Sequence, residues 1–339
     1  MKLHRFILAL SPLFLSSLVL AAETRSGYFF QQRALDPIKL QTGLPEPAGR
    51  LRGGPESNGR DNNPENSELQ ISLLHNNVFM GGRADNERLI LDGESTQLNV
   101  RFSRRINACW QVNAATAYLA HSSGWFDQPV NDWHQLFGLP DAQRGGWPNN
   151  LLQYAYEKDG EIHALPGEAR GFGDVQLQVQ RSLGCKEHST LFRLGAKLPL
   201  GEPENFFGSG SVDVFVDAQL PWRAFRPNSR WQWSGSAGLL FAGKNDFLAK
   251  QNPVSAFGVF GVNAQINSKL SFVGQMDWHS PLFDSQLREL GKLGNQLSLG
   301  LRYNGALGNY ELSFSEDVAI DTSPDIVVRL AWISRFGAR

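Results

Sequence analysis

The sequence has little sulfur and almost no excess of either charge. Its 339 residues include only 2 Cys and 3 Met, and 32 basic against 33 acidic residues leave a net charge of −1. Two cysteines are too few for a disulfide scaffold, although Cys109 and Cys185 can pair in an exported protein. A balanced charge gives no reason to expect a polyanionic partner, so no nucleic-acid partner is expected. After residue 22 there is no uninterrupted apolar run long enough for a membrane helix. A Gly-rich phosphate loop following a strand is also missing, as is any tight His, Cys or carboxylate spacing, so neither a cofactor nor a metal is expected.

What is present begins with a leader. Lys2 and Arg5 precede an apolar run from Phe6 to Leu20, and small residues follow, so residues 1–22 read as a secretory signal peptide that is removed. Residues 23–67 are rich in Pro, Gly, Asn and Arg and have little periodicity, as in "EPAGRLRGGPESNGRDNNPENS". Such a stretch has little to bury and is expected to form an irregular periplasmic N-terminal arm, with a segment tucked into a lumen as the alternative.

From residue 68 to 336 the pattern changes to period two. In "DIVVRLAWISRF", Ile326, Val328, Leu330 and Trp332 share one parity and Asp325, Arg329 and Arg335 the other. Twelve alternating segments follow one another: 68–79, 94–104, 110–121, 172–182, 190–199, 211–222, 230–242, 255–266, 270–279, 295–304, 310–318 and 325–336. Most approach the length that a tilted membrane-spanning strand needs. Short connectors such as "INA", "FRPNS" and "NSK" alternate with long ones, which is how outer-membrane barrels distribute periplasmic turns and outer loops. The fold expected is all-β: a single antiparallel up-and-down transmembrane β-barrel of about twelve strands in the bacterial outer membrane, with both termini periplasmic. Its partners would be outer-membrane lipid and the barrel-assembly machinery, which would read the last strand ending at Phe336, with 337–339 as a tail.

Parity then assigns a polar lumen, because charges facing lipid near the bilayer midplane are costly. Asp174, Lys197, Asp213, Asp217, Asp277, His279, Asp317 and Asp325 are expected around the outer mouth, above a more basic lower lumen of Arg101, Arg302 and Arg329. An ion network that only rigidifies the barrel is the competing reading. The loop 121–171, with Trp125, Trp133, Phe137 and Trp147, is too aromatic for a disordered segment. Its "DQPVNDWHQLFGL" is expected to form a short helix that constricts or caps the mouth, through Asp127, His134 and Arg144. His121 and Ser123 lie two apart at a strand end, a spacing that also suits a nucleophile and its base, but no orienting third group is legible. Cys109 and Cys185 fall at consecutive periplasmic turns, which two strand spacings would separate by roughly 10 Å. A disulfide spans about 7 Å, so a bridge requires the turns to flex.

The ordered set "LDGES", "GWFDQPVNDWHQLFGLPDAQR", "GFGDVQL", "KLPLGEPENFFGSGSVD", "QMDWHSPLFDS" and "SEDVAIDTSPDIVVRL" resembles a proteobacterial outer-membrane-type family catalogued as a domain of unknown function (3187). The resemblance runs from about residue 68 to the end. It implies an exported, membrane-associated β protein and carries no activity or substrate. On the residues themselves, a narrow channel or facilitator for a small polar solute is the leading expectation. A lipid hydrolase or lipid-modifying enzyme and a structural or partner-binding barrel are the alternatives, and enzymatic activity is the less favoured class.

Overall fold

A computed structural model describes residues 29–47, 67–137, 148–185, 189–245, 250–317 and 326–337, with the side chains of 133, 134, 137 and 317 left aside. In chain order the elements are β1 (Ser67–Arg83), β2 (Glu87–Arg105), β3 (Trp110–Ser122), α1 (Asp127–Phe137), β4 (Gln153–Lys158), β5 (Glu161–Ala164), β6 (Ala169–Phe172), β7 (Val175–Ser182), β8 (Leu191–Leu198), β9 (Asp213–Gln219), β10 (Arg223–Ala224), β11 (Trp231–Phe241), β12 (Val254–Gln265), β13 (Leu270–His279), α2 (Arg288–Gly291), β14 (Gly294–Gly305), β15 (Gly308–Asp317) and β16 (Ile326–Phe336).

Each wall strand pairs antiparallel with its neighbours, and β1 pairs with β16 from Ser67↔Phe336 to Asn77↔Ile326. With β6 and β7 counted as one interrupted strand, twelve strands among the described residues close the barrel. Closure leaves no wall edge, which is what a strand-built membrane span requires. Alternation does the rest. Leu73, Leu98, Val100, Phe102, Leu194, Leu301 and Leu330 are exposed on the outside, whereas Ser72, Gln97, Arg101, Arg193, Gln275, Arg302 and Arg329 are buried inside. An apolar outer band around a polar interior is the inverse of a soluble fold and fits a bilayer.

The β6–β7 interruption is a bulge. Tyr118 pairs with Phe172 and Ala115 with Gln176, so Thr116 and Ala117 face three residues, 173–175. Gly173 N–H still reaches the Ala117 carbonyl at 2.8 Å. Asp174, freed from the ladder, turns its carboxylate to Lys197.

The loop expected over 121–171 is more structured than the sequence suggests. β2 extends upward beyond β3, and its residues 87–92 pair with β4, which pairs with β5. Asp159 and Gly160 both have positive φ at the tip, the two-residue turn that Asp-Gly favours. This ribbon stands above the wall and is clasped by Glu87, whose carboxylate accepts hydrogen bonds from Tyr156, Lys158, Ser285 and the backbone of Gln286. Burial alone raises the Glu87 carboxyl, but these donors outweigh it and hold its pKa at about 2. The clasp is therefore complete above the usual glutamate range and is lost only as pH falls toward about 2.

Cys109 and Cys185 are bonded, with Cα atoms 4.3 Å apart. The expected gap of two strand spacings is corrected: Cys109 precedes β3 and Cys185 follows β7, and these strands are direct neighbours that start from Trp110↔Arg181. Only one ladder spacing separates them, and Ser182 N–H donates to the Cys109 carbonyl at 2.8 Å. Unreduced, denatured protein should therefore take up no thiol-alkylating reagent, and reduction should release two reactive thiols. Alkylation of both thiols before reduction would show that the bridge does not form.

Candidate functional site

The lumen is occupied by the chain itself. Residues 29–47 correct the expectation of a periplasmic arm, since they run inside the barrel; the remainder of 23–67, apart from Ser67 at the start of β1, lies outside the described residues. The segment rises along β13. Phe30 N–H donates to Gln275 at 2.8 Å, and the Arg33 guanidinium meets Asp277 at 2.7 Å. It turns beneath the mouth, where Asp36 accepts the N–H groups of Ile38 and Lys39 and pairs with the Lys39 ammonium at 2.8 Å. Then it descends: Gly43 N–H donates to Asp213 at 2.7 Å, and Glu46 reaches Arg101 through its carboxylate and Arg193 through its carbonyl. On the other side, Gln32 accepts from Ser72 at 2.6 Å and Leu35 accepts from Asn76 at 3.1 Å. The result is an arch with both legs pointing to the end that carries the short turns.

The crown of the arch is apolar. Ile38 and Leu44 are buried in one cluster with Val78, Met80, Tyr154 and Phe257. Two outer loops complete it. One, between β8 and β9, supplies Phe206, and the other, between β13 and β14, supplies Leu282, Phe283, Leu287 and Leu290. These loops close the mouth. The third loop contributes as well, since its Tyr154, Tyr156 and Leu165 lie in the same cluster, but its start folds elsewhere: the N–H groups of Trp125 and Phe126 bind Glu94, and Asp127 accepts from Asn77 at 2.6 Å. Glu94 and Asn77 share the outward parity of Leu73 and Leu98 and pair with each other in the ladder. His75, of the same parity, lies 3.0 Å from Glu94 and 2.9 Å from Thr96, beneath the ring of Phe126. The expected helix is present as α1, but Asp127 anchors it to the outside of β1 and β2. Arg144 lies outside the described residues and the His134 side chain is not described.

The remaining predicted residues separate into three groups. Lys197 is buried and holds Asp174 at 2.8 Å, Asp213 at 3.3 Å and the Ser211 carbonyl at 2.9 Å, while Ser209 meets the same ammonium. Asp174 also accepts Gly201 N–H, and Asp213 accepts Gly243 N–H, so this node ties three wall strands to the outer loops and the arch. Asp217 pairs with Arg193. Asp277 belongs to Arg33 and Gln275, and His279 Nδ1–H donates to the Ser280 carbonyl, 2.9 Å away. Asp317 has no described side chain, and Asp325 lies outside the described residues.

The expected basic lower lumen also carries carboxylates that largely offset it, three against four guanidinium groups. Glu311 bridges Arg302 at 2.6 Å and Arg329 at 2.7 Å, Glu46 takes Arg101, and Glu68 takes Arg335 at 2.8 Å. Sequence reasoning missed Glu46, Glu68 and Glu311. The last two were legible by parity, as Glu311 shares the inward side of Asp317. The His121–Ser123 pair is also corrected. His121 Nδ1 lies 2.6 Å from Ser95 Oγ, with its ring stacked 5.2 Å from Phe207, so the imidazole is committed to a buried contact in the mouth. Among the described residues no group of three or more His, Cys, Asp or Glu could hold a metal ion.

Three comparisons place the chain. The family model described as "Protein of unknown function (DUF3187)" matches residues 14–336. No curated protein matches the sequence. Among solved structures, the COG4313 outer membrane channel from Pseudomonas putida F1 superposes with a TM-score of 0.51 at 10% identity, covering 80% of this chain and 96% of that one. The NanC porin gives 0.44 at 8% identity, over 79% and 98% of the two chains. The P. putida toluene transporter TodX gives 0.41 at 11%, over 81% and 91%. The first likeness shows a shared outer-membrane β-barrel fold, and that fold supports a bacterial outer-membrane location.

Glu311 carries two buried guanidinium groups, so Glu311→Gln should leave an uncompensated positive pair. Breaking a buried pair in this way costs about 3–5 kcal/mol. Heat unfolding, read as the gel shift between folded and unfolded barrel, should occur at a clearly lower temperature than in the unaltered protein. An unchanged unfolding temperature would mean that the triad contributes little.

Proposed function

The chain belongs to the DUF3187 family, whose model spans residues 14–336, and from that premise we propose that it is a narrow outer-membrane channel or facilitator for a small polar solute, closed by its own residues 29–47. The observation that carries this reading is the way the arch is held. Its legs are fixed mainly by hydrogen bonds and ion pairs to β1, β2, β8, β9 and β13, with small apolar contacts of Phe29 to Trp222 and Val259 and of Ala34 to Leu74 and Val327, and its largest apolar anchorage is the crown. Polar contacts exchange with water at modest net cost, unlike a core that must be torn open. A lumen that is largely polar below its apolar mouth becomes a wet path once the arch and its crown shift. The short turns are assigned to the periplasm, so both legs, and both termini, face that side.

One observation favours a second reading, a closed structural barrel. The lumen cations Arg33, Arg101, Arg193, Lys197, Arg302 and Arg329 each meet a carboxylate. A network so matched stiffens a barrel whether or not anything passes. The hydrolase alternative gains nothing from the His121–Ser123 pair, since His121 meets Ser95 instead.

Planar-bilayer recordings separate the two. The full chain should show rare, small openings. Arg33→Gln, which weakens one leg, should raise their frequency, and deletion of residues 29–47 should give steady conductance. Silence from both variants, in protein whose folded gel form is intact, would overturn the channel reading in favour of the structural one.

A further inference from the structure

Between the arch and the wall formed by β1, β2, β3, β7 and β8 lies a cavity with about 790 Å³ of empty space, part of it open to solvent. Two features of its lining stand out. The first is that its charges are used up. Arg33 belongs to Asp277, Arg101 to Glu46, and Lys197 to Asp174 and Asp213. A charged solute would find no free counter-ion and would have to compete for one already engaged.

The second feature is a set of buried polar atoms with no partner. Gln70 Oε1, Gln97 Nε2 and Arg101 Nε are each unsatisfied, and all three residues line this cavity. Gln70, Gln97 and Arg101 are 3%, 1% and 4% exposed, so bulk water does not serve them. Buried polar groups are nearly always paired, and three orphans around one space mark a position that a bound molecule completes. Two of them donate and one accepts. Around them Leu35, Leu40, Leu44, Leu119 and Phe207 give the same cavity an apolar lining.

We propose that this cavity is a binding site for a small neutral amphipathic solute, one that offers an acceptor to Gln97 and Arg101, a donor to Gln70, and an apolar body to the leucines and Phe207. The proposal rests on the channel reading and names the class of molecule that would pause there. A primary carboxamide on a ring or short chain has this pattern: its oxygen accepts and its N–H₂ donates. Full burial of such a molecule requires an apolar lining with a few placed polar groups, which is the composition of small-molecule sites in general.

The test uses three probes of similar size, benzamide, benzoate and benzylammonium, in equilibrium dialysis against the purified full chain. Benzamide should bind saturably at one site, and each ion at least tenfold more weakly. Gln97→Leu should weaken benzamide tenfold or more without lowering the unfolding temperature, because it removes an unpaired polar group and not a contact that holds the fold. No saturable binding of benzamide, equal binding of benzoate, or a Gln97→Leu variant that unfolds early yet binds normally would each overturn the site. Benzamide flux into liposomes separates this from the channel reading. Saturable binding to the full chain, together with no flux through the variant lacking residues 29–47, would overturn the channel and keep the site. Flux without saturable binding would do the reverse.

Discussion

Closure of the β1–β16 ladder is the constraint on which the rest depends. In hydrocarbon an open strand edge has no water to bond, so the twelfth strand must return to the first. Once it does, period two leaves no freedom: every second side chain faces lipid and the others face one confined interior. That interior receives Arg193, Lys197, Asp213, Asp217, Asp277, Arg302, Glu311 and Arg329, none of which can remain alone away from water. The arch answers this demand. Its Arg33, Glu46 and backbone groups supply partners that the wall cannot supply to itself.

The division of the arch into polar legs and an apolar crown bears on motion. The legs meet mainly charged and amide groups that water can replace, with Phe29 on Trp222 and Ala34 on Leu74 as smaller apolar contacts. The crown is sealed beneath Phe206 and Phe283 by two outer loops, and it is the part whose displacement exposes apolar surface. A shift of the legs alone would widen the periplasmic half of the lumen, whereas passage through the mouth also requires the crown and loops to part. The Lys197 node links these parts, since Asp213 holds both Gly43 of the arch and Gly243 after β11. Loosening at one side of the mouth is therefore felt on the arch.

Much of the wall was legible in the sequence because its signal is local. Leu73, Leu98, Leu301 and Leu330 announce their side by parity, and Asp159-Gly160 marks a tight hairpin that the long-loop reading passed over. The arch was not legible, for a physical reason. "FFQQRALDPIKLQTGLPE" has no periodicity, and its partners lie up to 297 residues away, at Arg329. Only the excess of inward arginine in the lower lumen hinted at further acid, and two of its three carboxylates, Glu311 and Glu68, were already on the right parity, Glu46 alone coming from the arch. The later part of the third loop does join the mouth, through Tyr154, Tyr156 and Leu165, but its start was misplaced, because aromatic richness indicates burial without saying against what. Outward Glu94, which caps the N–H groups of Trp125 and Phe126, was the residue that located it.

The central claim is that residues 29–47 stand inside the barrel, and proximity measures it most directly. Asn76 Nδ2 lies 3.1 Å from the Leu35 carbonyl, so cysteines at these two positions would be neighbours across the lumen. In a chain also carrying Cys109→Ser and Cys185→Ser, Leu35→Cys with Asn76→Cys should form an internal bond under mild oxidation in whole cells. The folded barrel should then shield residue 35 from a bulky maleimide supplied on the periplasmic side. Rapid modification of that residue by the reagent, with no internal bond, would place the segment outside the lumen and contradict the account.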